Sequence, residues 1–228
     1  MYNGKKGKSV SAAGGAAAAL MGLFWGAPQG AQAQTSPGSL PDLSGAEVGN
    51  TAPKVSETGV YASGLIVPSV QPGQTAQGIA AQLGKGMDAS HNGGAQAKES
   101  LNKMAAAMPA ALAGLEGQLE KSGFAKRDLG TAAAFAFIFG YEAATGKKVP
   151  EEPSRVAGRT VSAAVGQHWK QRFASMSPEQ KEKMYETLLA WPYLLTSFVQ
   201  AFEKAGKPQE AATMRAAASK TFASVFGV

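Results

Sequence analysis

The 228-residue chain has no cysteine and only two histidines, His91 and His168. The first absence excludes disulfides, catalytic thiols and thiolate-bound zinc, so the fold must be held by a packed core. The second starves metal chemistry of its commonest ligand, because neither histidine has another three or four residues away. No Asp-x-Asp-x-Asp-Gly loop offers a calcium cage, and no Gly-x-Ser-x-Gly marks an activated serine. Gly78 to Lys85 departs from a phosphate loop: five residues, not four, separate Gly78 from Gly84, and Gly86 stands where Ser or Thr is required. No cofactor and no metal are expected. Also missing is any apolar run of the roughly 20 residues that cross a bilayer, so no stable membrane insertion is expected after processing.

What is present begins with an export pattern. Lys5, Lys6 and Lys8 precede an uncharged, Ala-rich run from Ala12 to Ala27, and Ala31-Gln32-Ala33 follows. A basic head, a short apolar body and a small-x-small site read as a signal peptide over residues 1–33, cleaved after Ala33. Its removal takes away much of the basicity. The mature chain keeps 19 basic against 16 acidic residues, a net charge of +3 instead of +6, too thinly spread to argue for nucleic acid.

Residues 34–58 are rich in Pro, Ser and Gly and read as a flexible leader. Residues 59–94 combine an extended segment, a short helix and a Gly-rich loop. Val60 to Val67 is β-branched and is stopped by Pro68 and Pro72; one short strand makes no sheet, so it should lie extended across the domain. Thr75 to Leu83 suits two helical turns, and Gly84 to Gly94 suits a loop.

From residue 95 to 228 the pattern is helical. Leu101, Met104, Met108, Leu112, Leu115 and Leu119 share one face, with Pro109 expected to kink or split the helix. Asp128 to Thr145 has apolar residues on every side, which marks a buried helix. Asp128 suits its cap, and Gly146 its stop, with Lys147 and Lys148 at its negative end. A helix begun by Ser154 carries Val161, Val165, Trp169 and Phe173 at intervals of four. Ser177-Pro178-Glu179-Gln180 is a capping box with proline at the first helical position. Behind it Met184, Leu188, Trp191, Leu195, Phe198 and Phe202 form a bundle seam, which Pro192 should bend. Pro208 to Phe226 supplies the last helix. The fold class is therefore all-α: a single bundle of about five to six helices around the buried helix, with an extended N-terminal lead-in.

The lead-in Gly64-Leu-Ile-Val-Pro-Ser69, the entry Gly123-Phe124 and Asp128-Leu129 into an Ala/Phe helix, and the Met176-Ser-Pro-Glu-Gln-Lys181 turn resemble an uncharacterised family of exported bacterial helical proteins. The resemblance spans roughly residues 60 to 228. It implies export and an all-α fold, and it brings no activity with it.

Two sites suggest themselves. Glu142 lies nearly on the Phe135 face of the central helix, where a carboxylate calls for a cation; Arg159, His168 and Arg172 on the next helix are the expected partners. Convergence of Glu142, His168 and Arg172 would make an envelope hydrolase or lyase; a structural ion pair is the plainer expectation. Trp169, Trp191 and Tyr193 fit core packing better than a glycan platform. Lys121, Lys126 and Arg127 read as a solvated basic face. The function these residues favour is non-enzymatic: an exported helical domain of the bacterial envelope that binds a protein partner or an apolar ligand. The kinks at Pro109 and Pro192, the adaptable Met104 and Met108, and Trp169 and Trp191 are the expected groove. The alternatives are catalysis through Glu142 and His168, or a secreted effector.

Overall fold

The computed structural model describes residues 61–89 and 95–226. Residues 1–58, expected to be a signal peptide and a leader, and His91 lie outside the described residues. Among the described residues seven helices follow in chain order: α1 (Gln74–Ala89), α2 (Ala95–Lys121), α3 (Leu129–Thr145), α4 (Glu151–His168), α5 (Lys170–Ser175), α6 (Pro178–Lys204) and α7 (Pro208–Phe226). The fold is all-α, and among the described residues no helix is long and apolar enough to cross a membrane.

α3 is the axis of the bundle. It packs against α4, α6 and α7, while α1 lies on α2 and on α6. Every residue from Leu129 to Ala136 is buried, because the small side chains of Gly130 and of Ala132 to Ala134 let neighbours approach from all sides. The second half is less enclosed. Phe137, Ile138 and Phe139 are half-buried and Tyr141 is exposed. Phe137 packs on Phe222 and Phe226 of α7, and Phe139 stacks on Phe135 with ring centroids 4.3 Å apart.

Local signals set the helix ends. Asp128 accepts the Thr131 amide as N-cap of α3, and Gly146 closes it in the left-handed conformation (φ 72°). Ser177 and Gln180 form the reciprocal capping box of α6. Four boundaries differ from expectation. α1 runs on to Ala89, since two glycines at about 1 kcal/mol each do not end a helix that rests on α2. α2 is continuous through Pro109. α4 begins at Glu151, three residues before Ser154. The helix of Val161 and Phe173 is interrupted at Trp169, which makes two helices of one; Val161, Val165, Trp169 and Phe173 nonetheless all stay buried.

The lead-in is a strap. Tyr61, Leu65 and Val67 point inward and Ala62, Gly64 and Ile66 outward, the two-residue alternation of extended chain. Among the described residues it pairs through isolated bridges, Tyr61 with Phe124 and Ile66 with Asp128. Ser63 passes where α3 and α4 present small residues: a Cβ on Gly130 would lie 2.5 Å from the Ser63 Cβ, and one on Gly166 would lie 2.6 Å from its carbonyl oxygen.

Candidate functional site

Catalytic chemistry would require a free, activated group, and burial is one way to activate a carboxylate. Asp128, Glu182 and Glu186 are all nearly inaccessible, and each is occupied by the strap. Asp128 accepts both the amide (3.0 Å) and the hydroxyl (2.9 Å) of Ser63 and the amide of Gly64 (3.1 Å), in addition to capping α3. Glu182 accepts the amides of Val70 (3.1 Å) and Gln71 (2.6 Å). Glu186, one turn further along α6, accepts those of Gly73, Thr75 (3.0 Å) and Ala76 (3.2 Å), and so caps α1 from a different helix.

Arg127 completes this polar seam. Its φ of 50° is the one positive value at a non-glycine among the described residues, and the side chain reaches the Val67 carbonyl (3.1 Å) and the Glu182 carboxylate (2.7 Å). Arg127 is thus not part of a solvated basic face, as its sequence context suggests: its side chain is only 20% exposed. Tyr185 donates to Glu116 at 2.8 Å. Burial, then the Glu116 charge, pushes the phenol far above its ordinary range, so it stays protonated. Burial likewise raises the Glu186 carboxyl, with the neighbouring Glu182 adding to it and the backbone donors opposing. Carboxylates whose lone pairs are filled by backbone N–H groups are staples, not bases.

Glu142 is placed apart from the cations proposed for it. Its carboxylate meets Lys148 Nζ at 2.6 Å and the Val149 amide at 2.9 Å, at the α3 terminus. His168 and Arg172 are exposed, Arg172 lying over the Trp169 ring, and Arg159 lies over Tyr61. The structural ion pair is therefore the arrangement found, formed with a lysine six residues downstream. Among the described residues, no group of three or more His, Asp or Glu side chains is placed to hold a metal ion.

The expected groove residues belong to the core. Met108 is 1% exposed, Trp169 3% and Trp191 0%, and Met104 packs half-buried against them. Pro109 is spent on the strap: its ring sits where a Cβ on Gly73 would lie, 2.6 Å away, and Gly73 has the positive φ (82°) that favours glycine. Pro192 is buried within α6.

A pocket opens about two turns beyond Met108 along α2. α2 rests on α1 while its backbone stands back from that of α3, and the wedge between them and the start of α4 is a half-open cleft of about 530 Å³. Its floor is Thr131, Ala134 and Phe135 of α3. Ile138, Phe139, Leu115 and Leu119 form apolar walls, and Phe124 closes one end. Gln118, Lys121, Glu151, Ser154 and Arg155 surround the mouth. This volume falls in the range of small-molecule sites, about 300–1,000 Å³. The sequence held one signal for it: α3 stays apolar at Ile138 and Phe139, farther round the helix than its neighbours cover.

The model of a Family of unknown function (DUF6683) matches residues 91–228. The chain belongs to this family. No curated protein and no solved structure matches it. The strap and α1 precede the DUF6683 match, whereas Arg127, Asp128, Glu182 and Glu186, which hold them, fall inside it. The pocket walls also lie within the DUF6683 span.

Proposed function

We propose that this protein is an exported, non-enzymatic helical domain of the bacterial envelope that binds an apolar ligand in the pocket between α2, α3 and α4. The observation that carries the reading is the pocket itself, a wedge of about 530 Å³ with an apolar interior and a polar mouth. The buried carboxylates support it from the other side, since each is committed to backbone amides or to Lys148 and none is free to act as a base. Export is supported by the Lys5–Lys8 head, the Ala12–Ala27 run and Ala31-Gln32-Ala33.

Two measurements test this. Expression of the full chain in a bacterium, followed by N-terminal sequencing of the envelope fraction, should give a protein that starts at Gln34; retention of residues 1–33 in the cytoplasm contradicts export. Titration of the mature protein with a polarity-sensitive dye such as anilinonaphthalene sulfonate should give saturable enhancement that Ile138→Asp abolishes while the helical circular dichroism stays unchanged. Enhancement indifferent to that substitution removes the pocket as the site.

A further inference from the structure

The pocket's boundary is sorted by polarity, and that sorting specifies a ligand class. The interior walls offer aliphatic and aromatic carbon without a competing charge. At the mouth stand two cations, Lys121 at the end of α2 and Arg155 in the second turn of α4, against one carboxylate, Glu151. Arg155 is poorly employed by the protein: its one ion pair among the described residues, with Glu152, is 3.8 Å long, and 46% of its side chain is exposed. Its guanidinium therefore keeps most of its five donors for another acceptor. Lys121, exposed at the same rim, forms no ion pair among the described residues.

Resting on the binding function proposed above, we infer that the pocket takes a single-chain amphiphile with an anionic head, a carboxylate or a phosphate monoester. The chain lies against Phe135, Phe139 and Leu119, and Arg155 and Lys121 hold the head at the mouth. A forked guanidinium pairs with either head through two parallel N–H donors. A long alkyl chain matches this mostly apolar lining better than a compact polar solute does, because the interior offers such a solute few hydrogen-bonding partners.

Calorimetric titration of the mature protein with decanoate, dodecanoate, dodecyl phosphate, dodecanol and dodecyltrimethylammonium separates the two layers of the argument. Each added methylene should tighten binding by about 3- to 4-fold. The carboxylate and phosphate should bind about 5- to 10-fold more tightly than dodecanol, and the trimethylammonium amphiphile more weakly still. Arg155→Gln should remove most of the advantage of the anions, Lys121 keeping the remainder, and leave dodecanol unchanged, while Glu151→Gln should tighten the anions about 2- to 3-fold. Both residues lie at the surface, so the dodecanol affinity reports that the variants remain folded. Which of the two anions binds more tightly distinguishes a fatty-acid ligand from a phosphorylated one. Equal binding of acid, alcohol and ammonium, with Arg155→Gln indifferent, overturns the head-group assignment and leaves an apolar pocket standing. Failure of every probe removes both, and a dimer that dissociates on adding dodecanol would assign the wedge to a second copy of the chain.

Discussion

Glu186 shows how a single acidic side chain works in this fold. Its two oxygens serve three backbone amides of a segment more than a hundred residues away, and no other side chain is seen to replace it. Glu186→Ala strands those donors, each buried or partly buried, and should cost about 2–4 kcal/mol in urea denaturation. The carboxyl also carries a pH signature. Burial, reinforced by Glu182, holds it above its ordinary 4.5 in the folded state, so the fold keeps this proton at a pH where the unfolded chain has released it. Its contribution to stability is therefore largest in acid and declines as pH rises from about 4.5 through the raised folded value. Stability curves of wild type and Glu186→Gln should diverge in that interval and run parallel above it; parallel curves throughout would deny the raised value. None of this was legible in the sequence, where Glu182 and Glu186 look like the polar side of an amphipathic helix. Their burial depends on a strap that arrives from far up the chain.

At the scale of elements, the strap and the α3 axis depend on each other. Asp128 both caps α3 and holds Ser63 and Gly64, so Asp128→Ala should destabilise by about 2–4 kcal/mol, more than the roughly 1 kcal/mol of an ordinary cap. Gly130→Ala acts from the opposite direction. The new methyl would lie 2.5 Å from the Ser63 Cβ and 2.9 Å from the Ser162 carbonyl oxygen, an overpacking worth about 1–3 kcal/mol. In hydrogen exchange, both variants should deprotect the amides of Tyr61 and Val67, which donate to the Gly123 and Arg127 carbonyls, before those of α6. Deprotection spread evenly over the domain would mean that the strap is not a separate unit. Caps, stops and faces were readable because they depend on neighbours within a turn: Asp128, Gly146, Ser177 and the Val161 to Phe173 series all stand as their spacing indicates. The extended character of Tyr61 to Val67 was readable for the same reason. The end of α1 was not, because packing against α2 outweighs the cost of its glycines.

At the scale of the molecule, the polar seam and the pocket divide the labour. The seam of Arg127, Asp128, Glu182 and Glu186 fastens the strap and α1 to the bundle. By sending α2 to rest on α1 instead of on α3, the fold leaves the wedge open on the other side of α2. The identity of the buried helix was plain from residues alone, but the opening beside it was not, since it is set by how far α2 stands from α3 and no local pattern encodes that distance. Met104, Met108, Trp169 and Trp191 drew notice for their chemistry and proved to be what fills the core. The measurement that reaches the central claim most directly is two-dimensional NMR of the protein, methyl-labelled at Leu and Ile, during titration with dodecanoate. Saturable shifts concentrated at Leu115, Leu119 and Ile138, with Leu188, Leu194 and Leu195 of the α6 core unmoved, are the predicted result. Shifts centred on α6, or none at all up to millimolar ligand, would contradict it.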